Sequence, residues 1–246
     1  MQDYQITEDK LDEHVEKISV GLKPEFEPKL ERVHVCDFYD ALVEEFPGIF
    51  ETLIHSPTEC QIRKTFVFPG KMDIESVILI CQRGGMDFVI PRRFALVQEN
   101  TALEDTQEIA AGCIKLIRKH FPTKRIYGLG HINEYIFGLE EHNGPEFIAS
   151  RFTKITVQGQ DEEISVRVNR PDNDYNKIID LKPVVEFQAG QEGVTRWGMK
   201  VSVDFNNRDT TRDLTLDDVR LIIEKSGQFN RDELYAFLNA TETWQG

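Results

Sequence analysis

The sequence predicts an α+β fold: a predominantly antiparallel sheet with helices packed on one face. Three observations carry this. Trp197, Met199, Val201, Val203 and Phe205 alternate with Gly198, Lys200, Ser202 and Asp204, the period of two that gives a strand one dry and one wet face. Further strand-like runs are separated by short turns rich in Gly, Asn and Asp, as antiparallel neighbours require. Between them lie segments whose apolar residues recur three and four apart, the pattern of helices that bury one stripe.

Taken in order, residues 1–16 are charged with little periodicity and are expected to form a mobile arm. Residues 17–23 alternate as a first strand, and Pro24 and Pro28 forbid regular structure in the connection that follows. Phe38, Leu42 and Phe46 then share a helical face, with Asp37 as N-cap and Pro47 as the stop. Three strands are predicted over 61–68, 74–82 and 86–90; the last two are joined by Arg83-Gly84-Gly85, whose glycines accept positive φ. Residues 94–98 continue the sheet. Residues 105–120 return to helical spacing, with Ile109, Cys113, Leu116 and Ile117 on one face, Asp105 or Thr106 as cap and Pro122 as the stop.

The second half follows the same plan. Residues 125–137 form a glycine-interrupted strand, 145–150 a brief helical turn, and 152–158 and 163–169 two strands, the second with Ile164, Val166 and Val168 on one face. Residues 177–188 and 194–205 make the longest hairpin. Thr215 caps a helix bearing Val219, Ile222 and Ile223, which Gly227 ends; Asn230-Arg231-Asp232-Glu233 reads as a second capping box, with Phe229 stapled onto Leu234. The tail after Asn239 is expected to be loose. The chain thus divides into two β-rich halves, 17–122 and 123–246, each finished by a helix. They are expected to form one continuous domain with a possible internal pseudo-repeat, which rests on element order and not on residue identity.

Composition narrows the function. With 29 Lys and Arg against 43 Asp and Glu, the formal charge is -14, so direct nucleic-acid binding is not expected. Cys36, Cys60, Cys81 and Cys113 lie far apart without metal-ligand spacing and read as reduced core thiols. No run approaches the ~18 apolar residues of a membrane span, and residues 1–16 lack a basic region followed by an apolar one, so a cytoplasmic protein is expected.

From Asp37 onward the chain resembles a family of sporadically distributed bacterial proteins of about this length whose function is not established. The resemblance rests on a helix ending in Phe46-Pro47 after an N-terminal strand, on Gly128-Leu129-Gly130-His131-Ile132-Asn133 after a helix, and on a closing strand with Asp204 leading into Leu214 to Ile223. In that family the middle segment usually has arginine and tyrosine where Gly130 and His131 stand here. The resemblance implies an architecture and a bacterial origin, with no activity attached.

The segment from Arg125 to Glu134 is the most unusual locally, because two glycines within a strand admit a close backbone or ligand, with His131, Asn133 and Glu134 beside them. Two readings are open: a ligand-binding edge, or a β-bulge whose orphaned backbone groups are satisfied by Asn133. If Arg92, Arg93 and Arg125 converge on one sheet end, they would hold an anionic ligand. The candidate ligand-binding residues are therefore Arg92, Arg93, Arg125, His131 and Asn133. Asp172-Asn173-Asp174-Tyr175-Asn176 and Asp204-Phe205-Asn206-Asn207 read as turns, since Lys177 and Arg208 stand where a calcium loop needs glycine or a ligand. No catalytic signature, phosphate loop, metal site or cofactor is predicted.

These readings favour a non-enzymatic binding or interaction protein that engages a protein partner or its own copy. The alternative is a small-molecule or nucleotide sensor or enzyme with a pocket between sheet and helices. A remoter one is an acidic inhibitor of a nucleic-acid enzyme.

Overall fold

The computed structural model describes residues 11, 15–24, 30–57, 59–68, 71–81, 85–91, 102–121, 125–139, 143–153, 156, 164–187 and 195–239. The expected arm before Leu11, the strand over 94–98, most of the strand over 152–158, the glycine turn at Arg83 and Gly84, and the tail beyond Asn239 lie outside the described residues.

The first half runs β1 (Val15–Pro24), α1 (Arg32–Glu45), β2 (Thr52–His55), β3 (Glu59–Phe68), β4 (Lys71–Cys81), β5 (Gly85–Pro91) and α2 (Ala102–His120). The second runs β6 (Ile126–Gly138), α3 (Gly144–Phe152), β7 (Val166–Asn169), β8 (Tyr175–Phe187), β9 (Thr195–Asn207), α4 (Leu216–Phe229), a π turn (Asn230–Leu234) and α5 (Tyr235–Leu238). All strands join one antiparallel sheet in the order β2-β3-β4-β5-β1-β6-β9-β8-β7. Each half folds its last strand back against its first, giving β3-β4-β5-β1 on one side and β7-β8-β9-β6 on the other, with β1 and β6 side by side at the centre. That arrangement is a pseudo-two-fold about the β1–β6 pair, and β2 is the addition of the first half.

Register fixes which residues share a face. One rung crosses the sheet from Leu53 through Ile62, Ile78, Phe88, Val20, His131 and Phe205 to Lys177. On this face Val20, Ile62, Phe205, Val203 and Val201 are buried, and the same core contains Phe38 and Leu42 of α1, Cys113 and Ile117 of α2, Ile148 of α3, and Val219 and Ile223 of α4. The core is therefore shared by both halves, and burying each such side chain contributes about 1.5–3 kcal/mol. Helix α3 lies on β8 and β9, α4 on β6 and β9, and α2 bridges α1 and α4.

Several element ends differ from expectation. Helix α1 starts at Arg32, with Glu31 and not Asp37 as N-cap, because Val35 extends the apolar row of Phe38 and Leu42 by one turn. Strand β1 begins at Val15, two residues early, and Leu11 is buried in the core. Helix α2 begins at Ala102, ahead of the expected caps Asp105 and Thr106. Helix α3 runs to Phe152, its Asn143 cap accepting from the Glu146 N–H at 3.2 Å. Strand β2, only four residues long, was not predicted; it follows a turn in which Gly48 takes φ 80.

The largest correction is at the C-terminal end. Gly227 does not stop α4, and Asn230 starts no second helix: it has αR geometry at the end of α4, and the Tyr235 N–H reaches back five residues to its carbonyl. Phe229 and Leu234, both buried, stand five residues apart, a spacing that one π turn keeps on a single face. At the other end of α4 the expected cap holds. Thr215 and Asp218 exchange hydrogen bonds as a capping box.

Candidate functional site

The glycine-bearing segment lies on β6, at the centre of the sheet. Gly128 pairs with Lys23 and Ile126 with Pro24, so Tyr127 is the extra residue of a β-bulge. A side chain at Gly128 would meet Lys23 Cβ at 2.9 Å, whereas one at Gly130 would meet only ordinary contacts. The bulge orphans backbone groups, and Asn207 of β9 satisfies them: its side-chain oxygen accepts from the Leu129 N–H at 2.7 Å and its amide donates to the Tyr127 carbonyl at 3.0 Å. The bulge is thus present, with Asn207 in the role considered for Asn133.

His131 is fully buried and Asn133 is 3% exposed, both on the helix-covered face. Asn133 Nδ2 lies 3.5 Å from His131 Nδ1, and His131 Nε2 has no hydrogen-bond partner among the described residues. Burial pushes the imidazole down to about 4, so it is neutral at physiological pH. Arg125 sits at the mouth of β6, where it donates to the Thr211 carbonyl at 2.5 Å and stacks 5.6 Å over the Tyr127 ring. Six residues along a strand is roughly 20 Å, so Arg125 and His131 do not meet. Arg92 and Arg93 lie outside the described residues. The candidate residues that are described therefore serve the bulged strand and do not line one pocket.

Two other features stand out. The first is the sheet face opposite the helices. Along β6, β9 and β8 it presents Ile132, Ile136, Ile178 and Val184, each half-buried. Between them run Glu134 and Lys200, 3.1 Å apart, Arg167 and Asp180, 3.5 Å apart, and a chain of hydrogen bonds from Asn176 through Asn206 to Asp204. Among the described residues no helix lies on this face.

The second is a cleft of about 390 Å³ on the helix side, between the start of β8, the end of β9 and the π turn after α4. Asp172 heads its rim. Its carboxylate accepts from the Asp174 and Tyr175 N–H groups at 2.9 and 2.7 Å, which is the turn expected from sequence. Burial works against its charge, but these N–H groups and Lys177 outweigh burial and hold the carboxyl below its usual range. Lys177 Nζ lies 3.0 Å from Glu233, 3.3 Å from Asp172 and 5.4 Å over the Phe229 ring. Burial opposes that ammonium, and the two carboxylates prevail and raise its pKa. Sequence reasoning recognised the Asp172 turn but not the cleft, because Lys177 and Glu233 are 56 residues apart and meet only through packing.

No family model, no curated protein and no solved structure matches this chain. Among the described residues no helix is long and apolar enough to cross a membrane.

Proposed function

We propose that this chain is a non-enzymatic binding protein that docks a protein partner on the uncovered face of its second-half sheet. The observation that carries the reading is the row Ile132, Ile136, Ile178 and Val184, set among paired charges on the side away from the described helices. Apolar side chains interspersed with paired polar groups suit a non-obligate protein interface, which as a whole is about as apolar as the rest of a protein surface, and a rigid sheet offers them at little ordering cost. A second copy of the chain is the other occupant to test. The bacterial, cytoplasmic setting belongs to the same proposal, supported by the family resemblance and by four cysteines whose spacing encodes no disulfide framework.

The experiment compares the native chain with an Ile136→Glu, Ile178→Glu variant. Sedimentation reports self-association, and affinity purification from the source cell, followed by reconstitution with each purified candidate, reports a partner. The reading expects a stoichiometric complex that the variant loses while its circular dichroism and melting temperature hold. A native chain that stays monomeric and reconstitutes with nothing, or a complex that survives both substitutions, overturns it.

A further inference from the structure

We propose that the cleft between the start of β8 and the π turn after α4 is a binding site for an organic ammonium group, carried by a free polyamine or by a lysine side chain. It lies on the helix side of the sheet and is independent of the open face.

The floor is aromatic: the half-buried Tyr175 ring tilts against Phe205 with centroids 4.9 Å apart, and Phe205, itself buried, meets buried Phe229 at 6.0 Å. The walls are acidic, with Asp172 and Asp174 from the turn before β8 and Asp232 and Glu233 from the π turn. A cation gains from both, since it is attracted by the ring face and by the carboxylates. The protein displays this chemistry with its own side chain, because Lys177 rests over Phe229 while bridging Asp172 and Glu233. That single ammonium is shared by two of the carboxylates and offsets one of their charges, and Arg170 lies 4.0 Å from Glu233 on its other side. Asp174 and Asp232 have no side-chain hydrogen bond or ion pair among the described residues, and the remaining cation, Lys225, is directed to Gln228 at 3.5 Å. The cleft therefore keeps an excess of negative charge beside an apolar floor, with room for more than one small ion.

The composition also discriminates among ligands. An anion would face four carboxylates against two lysines. A metal ion needs ligands gathered round one point, and no such group of His, Cys, Asp or Glu occurs among the described residues. An alkylammonium needs only a ring face and nearby carboxylates. The π turn is what brings Asp232 and Glu233 to the cleft, and such turns are frequent at functional sites.

The test is calorimetric titration of the full chain with spermidine and, separately, with a lysine-bearing peptide capped at both ends, at low and at physiological salt. One saturable site is expected for at least one probe, and the tighter probe identifies the source of the ammonium. Asp174→Asn with Asp232→Asn should weaken binding at least tenfold. Asp217→Asn with Glu224→Gln, which removes equal charge from exposed positions, should change it less than twofold. Lys177→Met removes the resident competitor and should tighten binding several-fold, an effect that a misfolded variant would not give. Equal weakening by the two double variants, or no saturable binding of either probe, overturns the proposal.

Discussion

In the first half of the molecule α2 ends on Arg118, Lys119 and His120, a basic last turn that suits the helix dipole, and the chain turns away at Phe121. In the second half the corresponding helix, α4, has no basic last turn and runs on through a π turn into α5, where Phe237 stacks on Phe152 at 5.3 Å and the Leu238 carbonyl accepts from Arg151. The central strands differ in the same way. Val20 of β1 and His131 of β6 face each other across the pseudo-dyad, one apolar and one a buried base. The order of elements is repeated while, among the described residues, the acid-lined cleft and the buried His131–Asn133 pair belong to the second half, so topology and site are separable properties of this chain.

Substitutions in each half test this separation. The largest test asks whether the halves share one folding unit. Phe38→Ala in α1 and Phe205→Ala in β9 each empty a buried site and should each cost about 3–5 kcal/mol. Both should move a single denaturant transition, followed by tryptophan fluorescence and circular dichroism together. Two separate transitions, each moved by one substitution, would show that the halves are independent.

The next test isolates the polar member of the central pair. Folded His131 is neutral down to about pH 4, whereas the unfolded imidazole takes a proton near pH 6.5. Its folded pKa is depressed, so stability is full above about 6.5 and falls as pH drops toward 4, where the folded form also protonates. Across that window the native chain should lose roughly 3 kcal/mol more than His131→Gln. Identical pH profiles would place His131 in water.

Asn207→Ala should cost about 1–3 kcal/mol, since it strands the Leu129 N–H and the Tyr127 carbonyl at the bulge. Amide exchange at Leu129 should accelerate accordingly; an unchanged rate would assign the bulge another partner. The smallest effect belongs to the cap of α4. Thr215→Ala should cost about 1 kcal/mol in thermal unfolding. Arg212 holds the Asp218 carboxyl well below the usual range, against burial and with help from Thr215. The stability from that depressed pKa is present above about pH 4 and fades as pH falls below it, and Asp218→Asn should remove this dependence.

Local rules made much of this legible. The alternation of β9 places Met199, Val201, Val203 and Phe205 in the core, Thr215 and Asp218 announce a helix start, and two glycines in β6 mark a bulge. What eluded sequence reasoning depends on distant chain segments. Asn207 stands 80 residues from Tyr127, and nothing near Asn133 shows that it is the wrong amide. Gly227 has the composition of a stop, yet Phe229, Leu234 and Phe237 keep the helix docked past it. Strand β2 is four residues that become a strand only because Arg63 to Cys60 lie beside them. The cleft needs β8, β9 and the π turn together, so no single motif describes it.

Strands β1 and β6 join the halves into one sheet, and among the described residues the helices lie on one side of it. Native-state hydrogen exchange reads that union. Amides of residues 17–23 and 128–135 should exchange last and together, through global unfolding at the full stability of the chain. If β6 exchanges with the second half while β1 follows the first at a different free energy, the shared sheet does not exist and the account fails.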